Sequence, residues 1–311
     1  MLNALPKAAF SMLAGSPHVK RLASRYGMRS PTSFARRFVA GETLEDAILA
    51  ARTIEQSGMM STLDLLGESV STAAAAGEAT QGYVALLDAI DAAGVSRNIS
   101  LKLTQLGLDV DRATSLDNVR RVLEAAERSG FFVRIDMEGS AYTDATLDLF
   151  QTIWDIGHRG VGVVIQSALH RSEADVRRLN AMGARVRLVK GAYRETRTVA
   201  HQLKTAVDAS FVELMQLLLR EGTYPAIATH DPVMIEATTR FAKANGIAKD
   251  KYEFQMLYGV RRDLQAALTG EGHRFRVYVP FGREWFPYFM RRLGERPANI
   301  GFVLRSLMRE R

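Results

Sequence analysis

The segment 275–295 carries the densest set of side chains in the chain that could hold a small charged ligand. Its second half predicts a helix on which Tyr288, Arg291 and Arg292 lie three and four residues apart and so share one face. Glu295 lies further along that face and is suited to fix the geometry of the arginines. Two adjacent guanidinium groups beside a phenol suit a small carboxylate, bound through bidentate hydrogen bonds next to an aromatic wall. The structural alternative is a solvated arginine pair near a helix end.

A second candidate site follows from the run RVRLVKGAYRE at 185–195. Arg187 lies within the predicted strand, and Lys190, Gly191 and Ala192 form its tip. Glycine and alanine let backbone amides approach a ligand closely, and Lys190 supplies a positive charge for a phosphate. The alternative is that this tripeptide forms only a turn.

Other polar residues end further predicted strands. Asp136 is suited to orient the polar edge of a cofactor, or to form an ion pair with a neighbouring strand's cation such as Lys102. Lys102 itself is suited to one of two roles, either an electrostatic clamp for a negatively charged group or a Schiff-base nucleophile. His230 follows Thr229, and a lone histidine of this kind is more often structural than catalytic.

These residues need a fold that gathers them, and the pattern of apolar runs predicts one. Eight short runs rich in Val, Ile and Phe alternate with stretches of helical composition, as parallel strands and helices do. The runs cover 58–68, 98–105, 131–138, 160–167, 185–193, 224–231, 252–257 and 275–282. Eight such units in about 250 residues predict an α/β fold, a (βα)₈ TIM barrel. In that fold the carboxyl ends of the strands form a common mouth, and here they offer Glu68, Lys102, Asp136, Gln166, Lys190, His230 and Tyr278. Because the first and last strands are neighbours in a closed barrel, Glu68 is expected to reach Arg291 as a lid.

Capping residues set the expected helix boundaries. Thr43 is expected to start a helix that ends at Gly58, and Asp231 followed by Pro232 to start another. Ser69–Ser71 is the candidate cap of the Ala-rich helix that follows the first strand. A long helix is expected over 197–222.

The charge of the chain is unevenly distributed. The net charge is +7, and residues 1–41 contain seven Lys or Arg and no Asp or Glu, so the remainder is neutral. We therefore expect residues 1–45 to form an N-terminal helical arm and 46–311 to form the barrel domain. Packing of the arm on the barrel exterior is favoured over contact with an anionic membrane surface, and an organelle transit peptide ranks last. Nucleic acid is not an expected partner, because the basic residues are confined to the arm and no binding motif accompanies them.

Several classes of chemistry have no support in the sequence. The chain has no cysteine, which excludes disulfides, thiolate metal ligands and thiol nucleophiles. It also lacks a GxGxxG motif after a strand, a Walker A motif, a GxSxG motif and an HExxH pair. No metal is therefore expected. No window approaches the roughly 20 apolar residues that a spanning helix needs.

Taken in order, seven segments resemble the proline dehydrogenase family in its compact bacterial form. They are SLKLTQLG, RIDME, VVIQS, RLVKGAYRE, ATHD, EFQMLYG and YVPFGREWFPYFMRRLGERPAN, within roughly residues 40–305. The resemblance implies a distorted (βα)₈ barrel with additional N-terminal helices. It also implies oxidation of L-proline to Δ¹-pyrroline-5-carboxylate by hydride transfer to N5 of FAD, with electrons passed to a membrane quinone.

The resemblance also assigns residues to roles. Asp136 and Arg187 are the expected catalytic residues beside the reactive face of the flavin. The expected substrate-binding residues are Lys102, Tyr193, Tyr278, Tyr288, Arg291 and Arg292. The expected FAD-binding residues are Met137, Gln166, Arg187, Lys190, Gly191, Ala192, Thr229 and His230. The expected location is the cytoplasm, and peripheral contact at the inner face of the cell membrane is left open as an alternative.

Two other hypotheses stand beside this one. The enzymatic alternative is an aldolase-type barrel that uses Lys102 or Lys190 as a Schiff-base lysine. The non-enzymatic alternative is a binding protein with a basic arm, which the neutral barrel disfavours.

Overall fold

The computed structural model of the protein describes residue 28 and residues 33–295, with side chains up to residue 290 apart from that of Phe34. Within that range eight parallel strands close into a barrel in chain order, β1 to β8, and β8 pairs with β1. The predicted TIM-barrel fold is confirmed. Most of the arm expected over 1–45 lies outside the described residues.

The strands are short, and each is preceded by a helix. The strands are β1 (Met60–Leu65), β2 (Asn98–Leu101), β3 (Phe132–Ile135), β4 (Val161–Gln166), β5 (Arg185–Val189), β6 (Ala226–Ala228), β7 (Glu253–Leu257) and β8 (Phe275–Phe281). The helices are α1 (Leu44–Gln56), α2 (Ala73–Ala93), α3 (Arg112–Arg128), α4 (Thr143–Asp155), α5 (Ser172–Ala181), α6 (Lys204–Glu221), α7 (Pro232–Ala244), α8 (Arg262–Gly270) and α9 (Trp285–Glu295). Short 3₁₀ helices occupy Phe34–Arg37, Ser140–Tyr142 and Lys249–Lys251.

Two of the three predicted helix caps are present. Thr43 caps α1 in a capping box with Asp46, and Asp231 caps α7 with Pro232 at its first turn. The prediction for α2 was wrong by one residue, because Thr72 is the cap and its hydroxyl accepts from the amide of Ala75.

The long helix expected over 197–222 begins only at Lys204. The residues before it are held in another conformation by the loop that follows β4. The amide of His201 donates to the carbonyl of Ala168, and Leu169 forms an isolated antiparallel bridge with Ala200. Backbone groups engaged in this pairing cannot enter the hydrogen-bond ladder of a helix.

Two hydrophobic clusters hold the described chain together. The larger one lies between the strands and the surrounding helices. The smaller one joins Phe38 and Val39, in the segment before α1, to Trp285 and Phe289 of α9 and to Leu66 at the end of β1. The backbone of this segment also bonds to β8, from the amide of Ala40 to the carbonyl of Pro280 at 2.9 Å. The described start of the chain therefore packs against the helix that carries the predicted arginine pair.

The amino end of the barrel is filled with charged side chains rather than aliphatic ones. Arg276 binds Glu253 in a fork, with Nε at 2.9 Å from Oε1 and Nη2 at 3.2 Å from Oε2. Gln255 and Tyr224 also donate to the Glu253 carboxylate. Burial would raise the pKa of Glu253, but Arg276, Gln255 and Arg134 lower it to about 2. The carboxylate is therefore charged in the folded protein down to strongly acidic pH.

Glu253→Gln should remove a specific part of the acid sensitivity of the fold. The folded pKa of Glu253 lies below its unfolded value, so its ion pair stabilises the fold above about pH 4.5 and is lost as the pH falls towards 2. That loss is about 3 kcal/mol. Breaking the buried pair should lower the free energy of unfolding at pH 7 by about 3 kcal/mol. In urea unfolding experiments, the difference in free energy of unfolding between the wild type and the variant should then become smaller as the pH falls from about 4.5 to about 2.

Glu173→Gln is the matched control, because Glu173 pairs with Arg177 on the exposed face of α5. It should change the free energy of unfolding by less than about 0.5 kcal/mol. If the difference in free energy of unfolding between the wild type and Glu253→Gln does not change with pH, the lowered pKa assigned to Glu253 is contradicted.

Candidate active site

Three predicted site residues from non-adjacent strands meet at the carboxyl end of the barrel. Asp136 follows β3, Arg187 lies in β5 and Tyr278 lies in β8. Arg187 Nη1 is 2.6 Å from Asp136 Oδ1, and the Tyr278 hydroxyl donates to Asp136 Oδ2 at 2.8 Å. The guanidinium carbon of Arg187 lies 5.3 Å from the centre of the Tyr278 ring. The barrel therefore brings Asp136, Arg187 and Tyr278 into one hydrogen-bonded group, which we call the mouth triad.

The sequence analysis offered an ion pair as the alternative role of Asp136, and Asp136 does form one. Its partner differs from the residue that was named as an example. That example was Lys102 on the neighbouring strand, whereas the partner is Arg187, two strands away. Arg187 is 4% exposed, and its Nη2 also donates to the hydroxyl of Ser100 at 3.0 Å. Its Nε has no hydrogen-bond partner among the described residues.

Lys102 pairs instead with Asp64, a residue that sequence reasoning did not select. Its Nζ lies 3.2 and 3.3 Å from the two carboxylate oxygens of Asp64, which is completely buried in β1. Burial alone would lower the pKa of Lys102, but Asp64, Asp136 and Glu68 raise it above its ordinary value. The lysine is therefore held as a cation.

Asp64 and Ser100 are the two site residues that the sequence analysis missed. Each lies one residue before the end of its strand, whereas the sequence search took the polar residues that follow those two runs, Glu68 and Lys102. Alternation along a strand offered a usable signal, because Ser100 lies two residues before Lys102 and so shares its face. For Asp64 the signal was a carboxylate in the middle of the apolar run STLDLL.

The charges of this region balance. The carboxylates of Asp64 and Asp136 face the cations of Lys102 and Arg187. Burial, followed by Asp136 and Asp64, raises the pKa of Tyr278 well above its ordinary value. The Tyr278 hydroxyl therefore stays protonated and remains a hydrogen-bond donor.

The predicted cofactor residues of β4 and β5 border the same mouth. Gln166 ends β4, is buried, and donates from Nε2 to the carbonyl of Glu138 at 2.8 Å. Met137, next to Asp136, is also buried. Gly191 has φ +110°, and a Cβ there would lie 2.9 Å from the Gln166 side chain. Only glycine adopts this backbone without strain, and the absence of a Cβ lets the chain after β5 lie close against the Gln166 side chain.

Lys190 is held by two carboxylates. Its Nζ lies 2.5 Å from Asp208 and 2.7 Å from Asp231, which begins the turn into α7. Lys204 adds a second cation to these two aspartates. The positive charge of Lys190 is thus already balanced within the protein.

Thr229 and His230 connect β6 to α7. The Thr229 hydroxyl accepts from the amide of Asp231 at 3.1 Å, and His230 Nε2 accepts from the amide of Leu257 at 2.9 Å. His230 therefore ties the end of β6 to the end of β7. Ala192 and Tyr193 are exposed beyond β5, with 46% of Tyr193 accessible to solvent.

Helix α9 confirms the predicted helical spacing of the last candidate residues. Tyr288 is buried in the smaller hydrophobic cluster. Arg291 and Arg292 lie in the helical backbone, three and four residues further on, but their side chains lie outside the described part of the structure. The same holds for Glu295, so the expected approach of Glu68 to Arg291 stays a prediction.

The chain is similar to known proteins along almost its whole length. The family described as Proline dehydrogenase matches residues 47–305. Proline dehydrogenase of Deinococcus radiodurans is 40% identical over 313 aligned positions, which cover 99% of this chain and 100% of that protein. Proline dehydrogenase 2 of Bacillus subtilis is 38% identical over 301 positions, or 97% of this chain and 98% of the relative. A solved structure of proline utilization A (PutA) from Bdellovibrio bacteriovorus, inactivated by N-propargylglycine, superimposes with a TM-score of 0.78. It is 26% identical, over 83% of this chain and 32% of that one.

Proposed function

The chain belongs to the proline dehydrogenase family, and from this premise we propose that it oxidises L-proline to Δ¹-pyrroline-5-carboxylate with FAD as its cofactor. The observation that carries the proposal is the mouth triad, in which a buried, fixed guanidinium faces the carboxyl end of the barrel. Such a group can stabilise negative charge that develops during a reaction in a site shielded from water.

The residues at the mouth fit a flavin. Arg187 Nε is a buried donor without a partner among the described residues, and Gly191 lets the backbone after β5 lie close to Gln166. Around them we assign Met137, Gln166, Ala192, Thr229 and His230 to FAD. The Lys190 charge is balanced by two aspartates, so its contribution is to hold the loop whose backbone amides approach the cofactor.

The proposed substrate-binding residues include cations that match the negative carboxylate of proline. Arg291 and Arg292, assisted by Lys102, bind the proline carboxylate, and Tyr193, Tyr278 and Tyr288 surround the ring. Lys102 suits this task because Asp64 and its other acidic neighbours keep it charged. The same observation argues against the aldolase-type alternative, since a Schiff-base lysine must lose its proton before it attacks a carbonyl.

The protein's part in catalysis is alignment and electrostatics. The chemistry that FAD supplies when bound is acceptance, at N5, of a hydride from the proline carbon next to nitrogen. Asp136 holds Arg187 in place through one oxygen and accepts from Tyr278 through the other, so both side chains have fixed positions. Ser100 fixes the far side of the Arg187 guanidinium. Fixed groups of this kind need no reorganisation as the reaction proceeds.

The test is proline-dependent reduction of a dye by the purified protein, with Arg291→Met as the comparison. The wild-type protein should be yellow, absorb in the flavin bands and reduce the dye only when L-proline is present. Arg291→Met should keep the flavin and lose most of the turnover. Protein without flavin, or without response to proline, would overturn the proposal.

The rate should depend on pH through the substrate amine. Only the free-base amine loses hydride readily, so kcat is expected to rise with pH as bound proline loses its amine proton, and kcat/KM is expected to rise with pH as well. Steady-state rates between pH 6 and 9 check this. A flat profile over that range would contradict it.

We propose a membrane quinone as the electron acceptor. The basic segment 1–41 supplies charge for peripheral contact with anionic lipid at the inner face of the cell membrane, with the protein otherwise cytoplasmic. Among residues 33–295, no helix is both long enough and apolar enough to cross a bilayer. Reduction of a soluble quinone analogue, with and without anionic vesicles, tests the acceptor and the contact separately.

A further inference from the structure

Glu138 is a buried carboxylate that the proposed reaction does not use. It lies three residues beyond β3 and is 5% exposed. Both of its oxygens accept hydrogen bonds from Thr104, with Oε1 at 3.2 Å from the amide nitrogen and Oε2 at 2.7 Å from the hydroxyl oxygen. Thr104 is completely buried. A buried charge is costly unless it is hydrogen-bonded, and Thr104 supplies both bonds.

Thr104 also hydrogen-bonds to the loop between β1 and α2. Its hydroxyl accepts from the amide of Ser69 at 3.1 Å, and its carbonyl accepts from the amide of Val70 at 3.1 Å. Ser69 has φ +54°, a left-handed conformation that non-glycine residues seldom adopt. The surrounding structure must hold such a residue in place, and the two bonds to Thr104 do so.

The other end of this loop packs on the substrate-binding helix. Leu66 belongs to the cluster that contains Trp285, Tyr288 and Phe289 of α9. The amide of Leu66 also donates to the carbonyl of Phe281 at the end of β8, at 2.8 Å. Residues 66–70 therefore contact α9 at one end and Thr104 at the other.

On its far side Glu138 reaches the proposed cofactor residues, because its carbonyl accepts from Gln166 Nε2 at 2.8 Å. A continuous path thus runs from Gln166 through Glu138 and Thr104 to the β1–α2 loop and α9. Each link is a hydrogen bond or a packed side chain, and the central residues Glu138 and Thr104 are buried.

We propose that Glu138 and Thr104 are positioning residues that set the place of α9, and so the affinity for proline, through the β1–α2 loop. The inference rests on the proposed function, in which α9 carries the groups that bind the substrate. It assigns the pair no contact with substrate or cofactor.

The test compares Thr104→Val with Thr104→Ser. Valine has nearly the same shape but lacks the hydroxyl that joins Glu138 to Ser69, whereas serine keeps it. Leaving these buried groups unpaired should raise KM for proline about tenfold in Thr104→Val, with kcat within about twofold of the wild type and flavin content unchanged. Thr104→Ser should restore KM to within about threefold of the wild type.

Thr238→Val is the matched control. Thr238 is equally buried, and its hydroxyl donates to the carbonyl of Met234 within α7, away from the path. Its KM should be unchanged even if its melting temperature falls. Equal KM values for Thr104→Val and Thr104→Ser, or a KM shift in Thr238→Val as large as that in Thr104→Val, would overturn the inference.

Amide hydrogen exchange separates this inference from the proposed function. The amides of Ser69 and Val70 should exchange at least tenfold faster in Thr104→Val than in Thr104→Ser, whether or not proline is the substrate. A wild-type protein without proline turnover overturns the proposed function alone, and unchanged exchange overturns the positioning role. If Thr104→Val does not fold, Glu138→Gln, which replaces one acceptor oxygen with a donor, should show the same KM and exchange changes.

Discussion

Arg187→Met is expected to lower kcat/KM for proline by roughly 10²- to 10³-fold, the range seen when a preorganised electrostatic group is removed from an active site. Arg187 is buried, held by Asp136 and Ser100, and has one donor atom without a partner among the described residues. Methionine keeps much of the side-chain volume but carries neither the charge nor the donors. The loss should appear mainly in kcat, because the interaction strengthens as negative charge develops.

A graded series distinguishes this role from general damage. Ser100→Ala removes one hydrogen bond to the guanidinium and leaves the ion pair, so it should cost about tenfold or less. Arg177→Met, on the exposed face of α5, should have no effect on kcat/KM. Measurements at saturating FAD, with flavin content checked by absorbance, remove any contribution from weaker cofactor binding. An Arg187→Met enzyme within threefold of the wild type would contradict the electrostatic assignment.

Asp64→Leu is expected to lower the free energy of unfolding by about 3–5 kcal/mol, because it leaves the Lys102 ammonium buried without its principal partner. Asp64 is completely buried and Lys102 is 9% exposed. Asp136 and Glu68 are close enough to raise the pKa of Lys102 and would compensate only in part. Urea unfolding at pH 7 measures the change.

The double variant Asp64→Leu/Lys102→Met separates the charge effect from the packing effect. Replacing both members of a buried ion pair with apolar residues is often neutral or stabilising, so the double variant should recover most of the lost stability. It should still bind proline poorly, since Lys102 is assigned to the substrate carboxylate. A double variant that is no more stable than Asp64→Leu alone would show that the pair is not the source of the loss.

The fold was predictable because the sequence repeats one unit eight times. Each apolar run ends near a polar residue, and closure of the barrel places those ends at one mouth whatever the details of each strand. Asp136 and Tyr278 could therefore be selected from the strand ends, Arg187 received its role from the family resemblance, and the structure brings the three together.

The pairing of these residues was not predictable in the same way. Which side chains meet inside a barrel depends on the tilt and stagger of the strands, and these are properties of the closed sheet. Asp136 thus pairs with Arg187 two strands away, while Lys102 pairs with Asp64, a residue within β1 that the sequence search did not select. The two aspartates that hold Lys190 come from α6 and from the turn into α7, far away in the chain.

The start of α6 shows a further limit. The composition of 197–203 is compatible with a helix, but the bridge between Leu169 and Ala200 gives its backbone other partners. Such tertiary competition leaves no trace in local propensity.

The charged filling of the barrel also shapes how the protein responds to heat. Exposing apolar surface on unfolding raises the heat capacity, and exposing polar surface lowers it. An interior in which Arg276, Glu253, Asp64 and Lys102 replace aliphatic side chains should therefore give a smaller heat-capacity increment than an aliphatic interior of the same size. The dehydration penalty of ion pairs also falls on warming. Together these effects flatten the curve of stability against temperature, so that a catalyst built on this interior keeps its geometry over a wide thermal range.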